Sequence, residues 1–267
     1  GDIVRKLAAA NEAKVVDLHG PMTAFNVKQQ ETDPTYTIIG RDRVHPGAPG
    51  FLMMTWLFLK SQGVPAIVSK VAVDASAARV TESLNAGVTD VESGNGGVSF
   101  KVLAKALPYP IDSAAKEMLE LLPIEKDLNQ ELLTVAGLAE GEYELRIDDK
   151  AVGEYSAKEL GNGINLAFNE ATPQFAQARQ VAKHNASRRS AESEAASLLN
   201  SRRWMIYHYK VDVDDPAALQ AHYDHFEDKK EYSAHMALRY IEKWPKYEEI
   251  RSQVNVHWEA ALASRAP

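Results

Sequence analysis

The amino-acid sequence predicts an α/β opening, a small antiparallel β-rich region and a C-terminal helical region within 267 residues. Three observations carry this. A helical pattern feeds a short apolar run at the start, which is the half-unit of an α/β sheet. Branched residues alternate between turn signals over residues 67–168. Long 3.6-period patterns with start signals fill residues 169–267.

The first zone, residues 1–66, opens with "DIVRKLAAANEA", where Ile3, Val4, Leu7 and Ala8 share one helical face. "AKVVDL" follows as a short apolar run of the parallel-strand type. A chain that opens on such a half-unit reads as the last part of a sheet whose earlier half-units are expected before Gly1. "MTAFNVKQQETDPTYTII" predicts a helix and a polar connection, and "PGAPGFLMMTWLFLKSQGVP" a second helix stopped by Gly63 and Pro65. That second helix is apolar almost all round, so it must be covered on most sides.

In the second zone, "AIVSKVAVDA" and "GVSFKVLAKALPYPI" predict strands, with "ESGNGG" a strong turn signal before the latter. "ELLTVAGLAEGEYELRIDDKAVGEYS" predicts a three-stranded meander turning at 137–141 and 148–150. Alternation places Tyr143, Leu145 and Ile147 on one face and Glu144 and Arg146 on the other. In the third zone Thr172 with Pro173, and Asp215 with Pro216, mark helix starts, and Pro245 breaks the last helical stretch.

Net charge is −7, which disfavours a nucleic-acid ligand despite the Arg188, Arg189 pair. The chain has no cysteine, so it offers neither a disulfide framework nor a thiolate metal site. No apolar run reaches the roughly 20 residues of a membrane span. Compartment stays open, export included, because a signal peptide would precede Gly1.

The stretch that reads as chemistry is "GRDRVHPGAPGF", residues 40–51. Asp42 and His45, three apart on a tight turn, can meet: the carboxylate accepts from Nδ1–H while Nε2 points outward. Pro46 restrains the backbone after the histidine, and Gly47 and Gly50 let the chain turn into the following helix. The alternative is a polar turn with a histidine in it.

"GRDRVHPGAPGFLMMTWLFLKSQG" resembles the last conserved block of the SGNH, or GDSL, hydrolases: D-x-x-H-P, small residues, then a helix. The likeness is specific over about residues 36–60 and looser over 1–66. It implies a flavodoxin-like α/β/α domain, of which this chain holds the C-terminal part, and hydrolysis of esters by a serine nucleophile. His45 becomes the general base and Asp42 its orienting partner. Phe51 stands where members often have a histidine. The G-D-S nucleophile block and the G-x-N-D oxyanion block are absent; "GNGIN" at 161–165 lacks the aspartate and reads as a loop. The likeness therefore implies an ester hydrolase acting on acylated carbohydrate or another small ester, no cofactor, and a chain inactive without the missing N-terminal part. Zones two and three resemble, weakly, the C-terminal extensions of some carbohydrate-esterase-like members. The competing expectation is a non-catalytic carbohydrate- or protein-binding module with a vestigial hydrolase remnant.

Other residues carry weaker signals. His222 and His225 in "HYDH" share a helix face as metal ligands can, but read as a solvated face, and no metal site is expected. His19 follows the predicted strand, near the presumed active edge, where it could line the pocket; a capping or core role is the stronger expectation. Trp204, Tyr207, Tyr209, Trp244, Tyr247 and Trp258 could stack on sugars, but helical spacing reads as packing between helices.

Overall fold

The computed structural model describes residues 1–40 and 42–265; Arg41 and the last two residues lie outside the described set. The chain divides into two compact units, the first ending at Ala178 and the second starting at Arg179.

The first unit begins with helices α1 (Asp2–Ala10), α2 (His19–Gln30) and α3 (Ala48–Ser61). No residue of α1 is buried, and Ile3 and Leu7 of its predicted apolar face stand 75% and 59% exposed. Arg5 ties α1 to Asp17 at 3.2 Å, and the same carboxylate accepts from the Gly20 N–H at 3.1 Å in the first turn of α2. The strand expected over "AKVVDL" does not form: residues 13–18 have no ladder partner among the described residues. Val15 and Val16 supply β-propensity, but a parallel strand exists only beside a neighbour that takes its N–H and C=O groups. His19 is exposed at the first residue of α2, neither core nor cap.

Gly47 precedes α3, Pro49 sits in its first turn, and Gly63 at φ +68° follows its end, as the sequence predicts. Leu52 and Met53 pack with Met22, Phe25 and Ile38, and are covered by Ala115, Met118, Leu122 and Ile124. These last four come from a short 3₁₀ turn (Ser113–Ala115), α4 (Met118–Leu121), α5 (Ile124–Leu128) and the link between the two helices. The Trp56 indole donates to Asp127 Oδ2 at 3.0 Å, and Lys60 reaches the same oxygen at 2.7 Å. Cover is one-sided: Phe51 and Phe58 remain 55% and 50% exposed.

The strands are β1 (Ile67–Asp74), β2 (Arg79–Leu84), β3 (Ala86–Gly94), β4 (Gly97–Ala104), β5 (Gln130–Ala136), β6 (Glu142–Ile147), β7 (Lys150–Ser156) and β8 (Ile164–Asn165). They form a four-stranded mixed sheet, β2-β1-β5-β8, and two hairpins, β3-β4 and β6-β7. The hairpin turns are two-residue and left-handed, Asn95-Gly96 at φ +53° and +78° and Asp148-Asp149 at +49° and +64°. The expected meander is corrected: β5 leaves β6 and β7 and pairs in parallel with β1. Alternation fixes which side chains of a strand face the core, and says nothing of which neighbour completes its hydrogen bonds. Tyr143, Leu145 and Ile147 do share a face, packed on a core of Val71, Val73, Leu133 and Val135. Glu144 and Arg146 pair at 3.0 Å.

After α6 (Ala157–Asn162), opened by the reciprocal Ser156–Glu159 cap, comes α7 (Pro173–Tyr207). Thr172 Oγ1 accepts from the Phe175 N–H at 3.2 Å. The second unit adds α8 (Pro216–His225), α9 (Tyr232–Lys243), a 3₁₀ turn at Trp244–Lys246 holding Pro245, and α10 (Tyr247–Ala263). The Asp215 side chain caps α8 through the Ala217 N–H at 2.9 Å. Met205, Val213, Leu219, Ala237 and Tyr240 form its core. Glu194 of α7 accepts from both Arg239 and Lys243 of α9. Tyr240, Trp244 and Tyr247 stack in series at 4.9 and 4.8 Å, the packing role expected of the latter two. Trp204 and Tyr207 depart from that expectation, 42% and 69% exposed. No helix among the described residues is long and apolar enough to cross a membrane.

Candidate active site

The segment between α2 and α3 places Asp42 and His45 on one turn. The Gly40 carbonyl accepts from the Arg43 N–H at 3.1 Å, with Arg43 itself at φ +58°. Asp42 then uses both carboxylate oxygens. Oδ1 accepts from the backbone N–H groups of Val44 and His45, each at 3.0 Å. Oδ2 lies 2.7 Å from His45 Nδ1. The His45 backbone N–H, the His45 ring and the Val44 N–H together hold the Asp42 carboxyl well below the ordinary carboxylate range. Asp42 is therefore held as a carboxylate, a pure acceptor, and a His45 ring that bonds to it does so with a proton on Nδ1.

That assignment frees Nε2 to act as a base. The His45 side chain is 83% exposed, and its one hydrogen-bond partner among the described residues is Asp42. The structure thus brings together the two residues singled out in the sequence and, among the described residues, brings no hydroxyl into hydrogen-bond contact with Nε2. "GNGIN" is corrected from a loop to the end of α6 and strand β8, with Gly163 at φ +92°. Asn165 is spent on structure: its Oδ1 accepts from the N–H groups of Glu131 and Ala167, and its Nδ2 donates to Glu125 and to the Asn129 carbonyl.

Among the described residues, no group of three or more histidine, aspartate and glutamate side chains could hold a metal ion. His222 packs against Tyr209 at 4.7 Å and Phe226 at 5.1 Å, which is a packing environment rather than a solvated face. Two shallow surface grooves, about 550 and 410 Å³, run along the end of α7; they share Arg203 and Tyr207, and Trp204 and His208 line the smaller.

Sequence reasoning passed over Glu131 on β5. This carboxyl is 7% exposed, its Oε2 has no hydrogen-bond partner, and burial pushes its pKa up to about 7. Its signal was present: Glu131 shares the alternation of Leu133 and Val135, which face the core.

No protein-family model matches the chain, and neither does any curated protein. A solved structure does. The chain is similar to BT4096, a gut microbial diltiazem-metabolizing enzyme. The two superpose with a TM-score of 0.81 at 27% identity, over 99% of this chain and 62% of that one. The chain thus spans 62% of that enzyme's length. The shared architecture is the one described above: mixed α/β with a small parallel and antiparallel sheet, two hairpins and C-terminal helices.

Proposed function

We propose that His45 and Asp42 are the general base and orienting acid of a serine-type ester hydrolase. The observation that carries this reading is the 2.7 Å contact between Asp42 Oδ2 and His45 Nδ1, with Nε2 left open. The likeness of the 40–51 block to the SGNH hydrolases supports it. So does the similarity to a gut microbial diltiazem-metabolizing enzyme, an enzyme that acts on a small molecule.

In this reading a serine Oγ hands its proton to Nε2 as it attacks the acyl carbonyl. Asp42 stabilises the imidazolium so formed, and Nε2–H then protonates the leaving alcohol. Water repeats the sequence to release the acid, and the serine recovers its proton. Two backbone N–H groups donating to Oδ1 keep Asp42 from rotating away while the charge on His45 changes.

This reading requires a serine and oxyanion donors from elsewhere, since these 267 residues carry neither a G-D-S nor a G-x-N-D block. Residues 1–66 are the C-terminal part of the hydrolase domain, 67–168 an accessory β-rich region, and 169–267 a helical region. The substrate is an acylated carbohydrate or another small ester, and the 267-residue chain alone does not turn it over.

The test is aryl acetate hydrolysis by the entire gene product, by its His45→Ala variant and by the 267-residue chain. The reading requires turnover in the first alone. A second reading, a glycan-binding module, draws on the exposed Trp204 and Tyr207 beside Arg203. Calorimetric titration with neutral oligosaccharides, using Trp204→Ala as control, separates it from the first.

A further inference from the structure

We infer that Gly40 and Gly50 are positioning residues for the His45–Asp42 pair, an inference that rests on reading the pair as catalytic. His45 is so exposed that side-chain packing cannot hold it. Its place is set by two close approaches of backbone, one on each side of the turn.

The first approach is at Gly40. Its φ is +80°, and a Cβ there would stand 2.6 Å from the His45 carbonyl oxygen and 4.0 Å from Asp42 Oδ1. Real Cβ atoms do not come that near a carbonyl oxygen, so any side chain at residue 40 displaces the backbone of the base. The second approach is at Gly50, buried in the first turn of α3 and free of positive φ. A Cβ there would lie 2.5 Å from the Ile38 carbonyl oxygen and 2.7 Å from Pro46 Cβ. Pro46 is the residue directly after the base, so pressure on it is passed to His45.

Both approaches bear on one short rail, residues 38–40. Ile38 is 3% exposed, and its N–H donates to Asn26 Oδ1 of α2 at 2.9 Å. The rail cannot retreat without uncovering Ile38 and breaking that bond. Adding a methyl at either glycine therefore moves the turn rather than the rail. A few tenths of an ångström suffices to misalign a hydrogen bond of 2.7 Å.

The experiment is nitrogen-15 NMR of the His45 ring in the 267-residue chain, assigned with His45→Gln. The readout is the tautomer, which needs no catalysis. Wild type is expected to hold neutral His45 with its proton on Nδ1. Gly40→Ala and Gly50→Ala are each expected to lose that tautomer. Gly63→Ala is the control: φ there is +68° but nothing lies within 4 Å of a Cβ, so the turn is strained and no neighbour is pushed. It is expected to keep the wild-type ring signal. Gly50→Ala carries no φ strain and decides the matter if Gly40→Ala does not fold. Retention of the Nδ1–H tautomer in folded glycine variants overturns the inference and leaves the pair intact. Its absence from wild type overturns the pair itself.

Discussion

Replacing Glu131 by glutamine isolates the free energy of burying one carboxylate. Ser69 lies opposite it in register on β1, itself buried, and burial is what lifts the Glu131 pKa from 4.5 to about 7. The sign follows from that lift. Below pH 4.5 both the folded and the unfolded chain hold the proton, and the group contributes nothing to pH dependence. Between 4.5 and about 7 the unfolded chain releases it first, so the fold loses stability as pH rises. Above about 7 the loss is complete, at about 3 kcal/mol. Glu131→Gln keeps the shape and removes the titration. Its backbone bonds to Asn165 and Leu166 are untouched. A buried amide adds its own penalty, but one that is constant with pH. The assay is the hydrogen-exchange free energy of the β1 and β5 amides at about pH 5 and about pH 8. Relative to wild type, the variant is expected to gain about 2.5 kcal/mol between the two conditions, since part of the loss has already occurred by about pH 5. An equal difference at both would refute the reasoning, because it would mean Glu131 is ionised in the fold without cost.

Three further outcomes are expected. Asp42→Asn turns an amide N–H toward His45 Nδ1 and forces the proton onto Nε2, so ester turnover by the entire gene product falls on the order of 10⁴-fold. Asp127→Ala strips the Trp56 indole N–H of its acceptor and Lys60 of its partner; a loss of about 1–2 kcal/mol in urea denaturation checks it. His222→Phe tests a half-buried imidazole whose buried Nε2 has no partner and whose pKa is lowered by burial and then by His225. Because the fold favours neutral His222, wild type loses stability as pH falls below 6.5, and the phenylalanine variant is expected to lose less. Parallel melting curves against pH would contradict that.

What could be read from the sequence was what neighbours in sequence decide. Thr172, Asp215 with Pro216, Asn95-Gly96 and Gly63 act within a few residues of themselves, and each ends or begins an element as expected. The Asp42–His45 pair belongs to the same class, since three residues and one turn suffice to join it. What could not be read was pairing at a distance. Residues 13–18 have strand propensity and no ladder partner among the described residues, while β5 abandons its sequence neighbours for β1. Nor does helical spacing decide whether Trp204 is covered, because that depends on what packs there. Gly40 and Gly50 belong here too. A glycine beside a turn reads as conformational freedom, and only the fold reveals that Ile38 and His45 carbonyls occupy the space of the missing side chains.

The most direct test of the account is the rate of aryl acetate hydrolysis by the entire gene product with and without His45→Ala. The expected result is a fall of roughly 10⁴-fold or more, with thermal stability little changed, since the His45 side chain is exposed and its backbone N–H bond to Asp42 is kept. A rate that survives the substitution would contradict the account, and would reduce the pair to a polar turn.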